Sequence, residues 1–167
     1  MSMGSPASDH DLFLSLLATH QRQLLKVCWV YGASGHDRDD LLQEITRQLW
    51  ASFPRYDRSR SFSTWMYRVA LNVAIDQRRR SRRAAATVSL VETDAMEDDD
   101  HERREQLAEL RELLLQQSEA DRALLLLHLE GHTHREISDI LGITETNVGT
   151  RLNRLKQSLR QSAQKGT

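Results

Sequence analysis

The chain has 167 residues, room for one ordinary domain or two small ones and too little for an enzyme built around an inserted cofactor domain. Seven Gly and two Pro against an abundance of Leu, Arg, Gln and Ala favour helices over strands, and a lone cysteine, Cys28, rules out an intrachain disulfide and a cysteine-based zinc cluster. The formal charge of -1 hides a sorted distribution: residues 8–83 carry thirteen Lys or Arg against eight Asp or Glu, residues 84–105 two against eight, and residues 146–167 five against none.

Residues 1–8 hold neither a basic run nor an apolar core and read as a disordered tail. The longest apolar run, Ala123 to Leu127, falls far short of a bilayer span, so a cytoplasmic chain with no membrane insertion is expected. A first helix is expected over Asp11 to Tyr31, with Leu12, Phe13, Leu16, Leu17, Leu24, Val27, Cys28 and Tyr31 on one face and Gly32 and Gly35 ending it. Cys28 then belongs to the core, where a thiol is inert. A second helix is expected from Asp37 to Ser52. It starts with acids that suit the positive end of the helix dipole, turns Leu41, Leu42, Ile45, Leu49 and Trp50 inward, and stops at Pro54.

Residues 55–61 are basic and aperiodic, an exposed loop. A third helix should start at Ser63 or Thr64, bury Trp65, Met66, Val69, Ala70 and Val73, and run out into Arg78, Arg79, Arg80, Arg82 and Arg83. These three helices make a bundle over residues 9–83. With Arg55, Arg58 and Arg60, the arginines suit a phosphate backbone, and Phe62, Trp65 and Tyr67 among them suit unstacked bases; a solvated helix end and core aromatics are the plainer readings. From residue 84 to 101 the periodicity is lost and acids gather, as in a flexible linker.

A second domain, residues 102–162, opens with a helix marked by Leu107, Leu110, Leu113 and Leu114 and a helix from Ala123 to Leu129 capped by Gly131; residues 163–167 are a tail. Thr133 and Glu136 fit a capping box for a short helix through Ile137, Ile140 and Leu141. Gly142 supplies the turn, and Thr144 caps a helix buried through Val148, Leu152, Leu155 and Leu159. This is helix-turn-helix grammar, and Glu145, Thr146, Asn147, Thr150, Arg151, Asn153 and Arg154 on the other face have the chemistry to meet base edges or phosphates. A plain helical hairpin is the competing reading. His132 and His134, two turn histidines with no cysteine nearby, do not read as a metal site, and neither a cofactor motif nor a catalytic constellation occurs.

The stretch Asp39-Asp40-Leu41-Leu42-Gln43-Glu44, with Leu49-Trp50 and then Phe62 to Asp76, resembles conserved region 2 of the sigma-70 family in its extracytoplasmic-function (ECF) branch. Leu124 to Gly131, Arg135-Glu136-Ile137, Ile140 to Ile143, Val148 and Arg151-Leu152 resemble region 4. The resemblance implies an all-α protein: a region 2 helical bundle and a region 4 helix-turn-helix on a flexible linker, with no cofactor and no catalysis of its own. It also implies docking on core RNA polymerase, with Asp39, Asp40, Leu41, Gln43 and Glu44 on the beta-prime clamp helices and the second domain on the beta flap. Promoter opening and base capture at the -10 element would fall to Arg60, Ser63, Thr64, Trp65, Tyr67, Arg68, Asn72, Asp76, Arg79 and Arg80. Duplex readout at the -35 element would fall to Arg135, Thr144, Thr146, Asn147, Thr150, Arg151 and Arg154.

An anti-sigma partner is a further implied expectation, and the acidic linker would occupy the RNA exit path. Two departures stand out. Gly149 replaces a residue that is commonly basic, and the Leu-Pro that often opens the region 4 helix is missing near Gln117 and Ser118. A conventional dimeric helix-turn-helix regulator that never joins polymerase, or a protein-binding decoy of the family, would share much of this sequence grammar.

Overall fold

The computed structural model describes residues 6–84 and 101–165. These form eight α-helices, one 3-10 turn and no strand, divided between two compact units, so the all-α expectation holds. The first five residues of the expected N-terminal tail, nearly all of the expected linker and the last two residues lie outside the described part, while residues 6–8 and 163–165, expected as tail, belong to the first and last helices.

The first unit contains α1 (Pro6–Thr19), α2 (Gln21–Tyr31), α3 (Gly35–Ser52), a 3-10 turn (Phe53–Arg55) and α4 (Phe62–Ala84). The single helix expected over Asp11 to Tyr31 is two helices. Thr19 Oγ1 donates back to the Ser15 carbonyl at 2.9 Å, and the His20 N–H is shared between the Leu16 and Leu17 carbonyls at 3.2 Å each. His20 sits at φ -106°, ψ 13°, off the helical minimum, and the chain restarts one residue later. Phe13 is buried while Leu12 and Leu14 of α1 remain exposed.

α2 stops where the Gly32 N–H donates to the Cys28 carbonyl at 2.8 Å. A Cβ on Gly32 would lie 2.5 Å from Arg38 Cγ and 2.8 Å from the Cys28 carbonyl oxygen, so close approach of α3 to this corner requires glycine. Gly35, expected as part of the stop, instead opens α3 two residues before Asp37, because Ser34 Oγ accepts from the Asp37 N–H as an N-cap. Pro54 falls inside the 3-10 turn, where its missing N–H costs nothing.

The core of this unit is Leu24, Val27 and Cys28 of α2, Leu41, Ile45 and Leu49 of α3, and Met66, Tyr67, Ala70, Leu71 and Ala74 of α4. Burial of each large side chain contributes about 1.5–3 kcal/mol. Burial also pushes the Cys28 thiol up to about 11, with Asp39 adding to the effect, which matches the expected inert core cysteine. The buried stripe of α4 is turned from the expected one: it starts at Phe62 and includes Tyr67 and Leu71, while Trp65, Val69 and Val73 are only half-buried. Trp50, expected inside, is 43% exposed.

The second unit contains α5 (His101–Leu115), α6 (Glu119–Leu129), α7 (His134–Leu141) and α8 (Glu145–Lys165). Leu114 is the buried apolar anchor of α5, and Leu113 is exposed. The α5–α6 corner needs no Leu-Pro. Ser118 Oγ accepts from the Asp121 N–H, which starts α6 four residues before Ala123. Buried Arg122 then reaches back, its Nε donating to the Leu114 carbonyl at 3.0 Å and Nη2 to those of Leu115 and Gln117 at 3.2 Å each. One guanidinium thereby satisfies carbonyls that the end of α5 leaves open.

The remaining punctuation is as the sequence predicts. Gly131 is left-handed at φ 84°, with the His132 N–H donating to the Leu127 carbonyl and the Gly131 N–H to that of His128, a Schellman ending for α6. Thr133 and Glu136 form the capping box of α7, Gly142 turns at φ 68°, and Thr144 Oγ1 accepts from the Asn147 N–H at 3.1 Å to start α8. Val148, Leu152 and Leu155 seat α8, joining Ile137 and Ile140 of α7 and Leu124 and Leu127 of α6 among the buried residues.

Candidate nucleic-acid interfaces

α4 carries the basic surface of the first unit. Helical spacing places Arg68, Asn72, Arg79 and Arg83 on one exposed side with half-buried Thr64 at its start, opposite the buried Met66, Ala70 and Ala74, whose side half-buried Ser63 shares. Asp76 and Arg80 are exposed too, but they flank a groove with Val73 and Gln77 of α4 and Asp40, Glu44 and Gln48 of α3. The ten expected -10 residues therefore do not form one patch.

Tyr67 leaves the candidate set. Its exposure is 0%, and α4 points it into the core, so its ring is not available to a base. Phe62 and Trp65 belong to an aromatic cluster that shapes the preceding loop: Trp65 lies 4.9 Å from Tyr56 and 5.5 Å from Phe62, and Phe53 stacks on Tyr56 at 5.9 Å. Half-buried Trp65 keeps part of its surface open.

The loop is exposed, as expected, and internally braced. Tyr56 Oη donates to the Arg60 carbonyl at 2.6 Å, and Asp57 accepts from the Ser59 backbone and hydroxyl, which holds its carboxyl below the usual range. Arg58 pairs with Asp9 of α1 and sits 5.8 Å over the Phe53 ring, and Arg60, the more exposed of the two, lies 3.7 Å from Asp57. Tyr56, half-buried at the loop base and packed on Phe53, Phe62 and Trp65, adds a partly open ring that the sequence marks only by its place between Arg55 and Arg58.

On α3, Asp39, Asp40 and Gln43 are exposed and Glu44 is half-exposed, but Leu41 is 2% exposed. Leu41 is a core residue and is withdrawn from the docking set; it holds the acidic edge in place from beneath. Glu44 accepts from Arg47 at 2.8 Å and Gln48 at 3.2 Å, and these bonds, Arg47 foremost, pull its carboxyl down from 4.5 to about 2. A depressed acid contributes its stabilisation fully above pH 4.5 and loses it as the pH falls toward about 2. A carbon-detected NMR titration should place the Glu44 carboxyl in that window, and Arg47→Ala should return it toward the ordinary carboxylate range. Beyond Gln43 the same helix borders an apolar groove of about 560 Å³ with Leu42 and Trp50, faced by His10, Phe13 and Leu14 of α1.

In the second unit, Thr144, Thr146, Asn147, Thr150, Asn153 and Arg154 are exposed on α8 and the turn before it, and Arg135 is exposed in the first turn of α7. Arg151 is different. Its Nε donates to Asp121 Oδ1 at 3.1 Å, its Nη2 bonds the same carboxylate, and the pair spans α6 and α8 with side chains 23% and 16% exposed. The expected groove contact from Arg151 is thus committed inside the unit.

Gly149 faces His134, whose ring atoms would lie 3.7 Å from an added Cβ, an ordinary contact. Gly149→Ala should therefore stabilise the second unit by about 0.5–1 kcal/mol through helix propensity alone. A rise in melting temperature of a few degrees would show it; a fall would mean that the His134 contact cannot adjust.

Comparison with known proteins agrees with both units. Sigma-70 region 2 matches residues 16–84, and the family described as Sigma-70, region 4 matches residues 107–159. The chain is 25% identical to the ECF RNA polymerase sigma factor SigW of Bacillus subtilis, over 92% of this chain and 89% of that protein. It is 26% identical to the ECF sigma factor SigM of Mycobacterium tuberculosis, over 92% and 78%. Among solved structures, CnrH in complex with the cytosolic domain of CnrY shares the fold at TM-score 0.72 and 21% identity, over 95% of this chain and 91% of that one. RpoE in complex with the anti-sigma factor NepR from Bartonella quintana does so at TM-score 0.73 and 16% identity, over 89% and 94%.

Proposed function

Because this chain belongs to the ECF branch of the sigma-70 family, and so is an RNA polymerase-binding sigma factor, we propose that it divides promoter recognition between its two helical units. The region 2 unit, residues 9–83, opens and holds the -10 element. The region 4 unit, residues 102–162, reads the -35 element as a duplex. The chain catalyses no reaction itself and works in the cytoplasm on the polymerase it joins; no helix of the described residues is long and apolar enough to cross a membrane.

One observation carries this reading: each unit presents a polar, partly basic helix face above a buried stripe, and the two faces differ in chemistry. α4 offers Arg68 and Asn72 in the turns after the half-buried rings of Tyr56 and Trp65, with Arg79 further along the same side. Charge that tracks a backbone next to aromatic surface that takes unstacked bases favours separated strands. α8 offers Thr146, Asn147, Thr150 and Arg154 after a tight turn, a short polar face of the kind that enters a major groove. Asp39, Asp40, Gln43 and Glu44 supply the acidic edge of α3 for the clamp helices of the polymerase.

A solved structure of similar fold holds the anti-sigma factor NepR and another the cytosolic domain of CnrY, which supports a regulatory protein partner for this chain as well. The deciding experiment is gel filtration of the purified chain with core polymerase, followed by permanganate probing of unpaired thymines on candidate promoters. Co-elution and opening at one promoter class are expected. Failure to bind core polymerase in low salt would overturn the reading.

A further inference from the structure

Asp121 is the third residue of α6, and its backbone N–H is the one that Ser118 caps. Its carboxylate does not face open solvent. One oxygen accepts from Arg151 Nε at 3.1 Å and from Arg151 Nη2, and the other lies 3.9 Å from Arg154 Nη2. Thus a carboxylate with 16% of its side chain exposed engages two of the three cations that α8 carries between Glu145 and Gln157. Arg154 remains 67% exposed, while Arg151 is 23% exposed.

This arrangement bears on duplex binding by the region 4 unit, and the inference rests on that reading. A guanidinium that meets a phosphate releases counterions, steepening the dependence of log K on log salt by about 0.9 for each phosphate. Two freely mobile arginines on α8 would raise affinity for every duplex alike and blur the preference for one sequence. A guanidinium held through two of its nitrogens by a fixed carboxylate is instead a rigid strut. We propose that Asp121 is a positioning residue for duplex readout: it withholds Arg151 from the phosphates, uses it to fix the angle of α8 on α6, and tempers the charge of Arg154. Base contacts then fall to the uncharged Thr146, Asn147 and Thr150 together with Arg154. Arg151 is the brace that keeps them in register.

Asp121→Asn keeps the shape and removes the charge. In the full chain, binding to a mixed-sequence duplex should tighten by roughly tenfold at low salt, with the slope of log K against log salt steeper by about 1 to 2. Preference for the duplex that the native chain selects from a randomised pool should drop by roughly tenfold. Asp121→Glu should keep a near-native slope, and Arg151→Gln should leave the slope on the mixed-sequence duplex unchanged, since that cation is already withheld. A merely structural role would lower the melting temperature without steepening the slope. An unchanged slope in folded Asp121→Asn, or a shallower one in Arg151→Gln, overturns the proposal. If the native chain selects no duplex at all, groove reading by α8 fails, and the slope on the mixed-sequence duplex still decides whether Asp121 restrains the two arginines.

Discussion

Alanine at both Arg68 and Asn72 is expected to reduce promoter-specific run-off transcription by about 100-fold while leaving the protein folded. The two positions are one helical turn apart on the exposed side of α4 and make no part of the core. A hydrogen bond from a charged group such as Arg68 is worth about 1.5–3 kcal/mol and one from a neutral amide about 0.5–1.5, so losing both removes on the order of 3 kcal/mol from the open complex. Surface changes away from caps and cores move stability by only about 0.5 kcal/mol. The check is run-off transcription beside a thermal melt. Full activity in a folded double variant would show that this side of α4 is not where single-stranded DNA sits.

The second large effect falls on Tyr67. Tyr67→Ala should cost about 3–5 kcal/mol, the range for emptying a fully buried aromatic site. A small helical unit holds only about 5 kcal/mol in total at the low end of domain stabilities, so about 0–2 kcal/mol would remain and the first unit should be partly unfolded at 37 °C. Tyr67→Phe should keep the fold and promoter opening. Circular dichroism melts separate these outcomes, and loss of opening in a folded Tyr67→Phe variant would return the hydroxyl to the DNA-binding set.

Contrast between Tyr67 and its neighbour Arg68 shows where a sequence carries its structure openly. Short-range grammar was legible: Thr133 with Glu136, Gly131 and Gly142 each act within a few residues, and each takes its expected role. Helix faces were legible only coarsely. A rotation of one position moves Tyr67 and Leu71 inside and leaves Trp65, Val69 and Val73 at the boundary, and an apolar tally cannot resolve that angle when nearly every residue from Trp65 to Ile75 is apolar or aromatic. Trp50 differs for a related reason: its ring covers the edge of the core, 5.1 Å from Phe13 and 5.5 Å from His10, and the residue still stays 43% exposed.

Long-range partnerships were not legible. Asp121 and Arg151 are 30 positions apart, and Arg58 meets Asp9 across 49. In sequence each is one more charge on a polar helix or loop. Only the packing of α6 against α8 turns a groove-facing arginine into a brace, and only the closeness of α1 to the loop ties Arg58 down. The break at His20 was hidden as well, because Thr19 and His20 are ordinary helix residues until their side chains bond backward to Ser15 and Leu16.

The guanidinium of Arg122 has a consequence for how the second unit comes apart. It belongs to α6 but closes the last turn of α5, whose first turns are exposed almost throughout. Stability along α5 therefore runs as a gradient, with its early amides exchanging with solvent through local fraying and its final ones only when α6 itself unfolds. Any partner that grips the outer turns of α5 takes hold of a fraying end anchored at its other end to the buried helix α6.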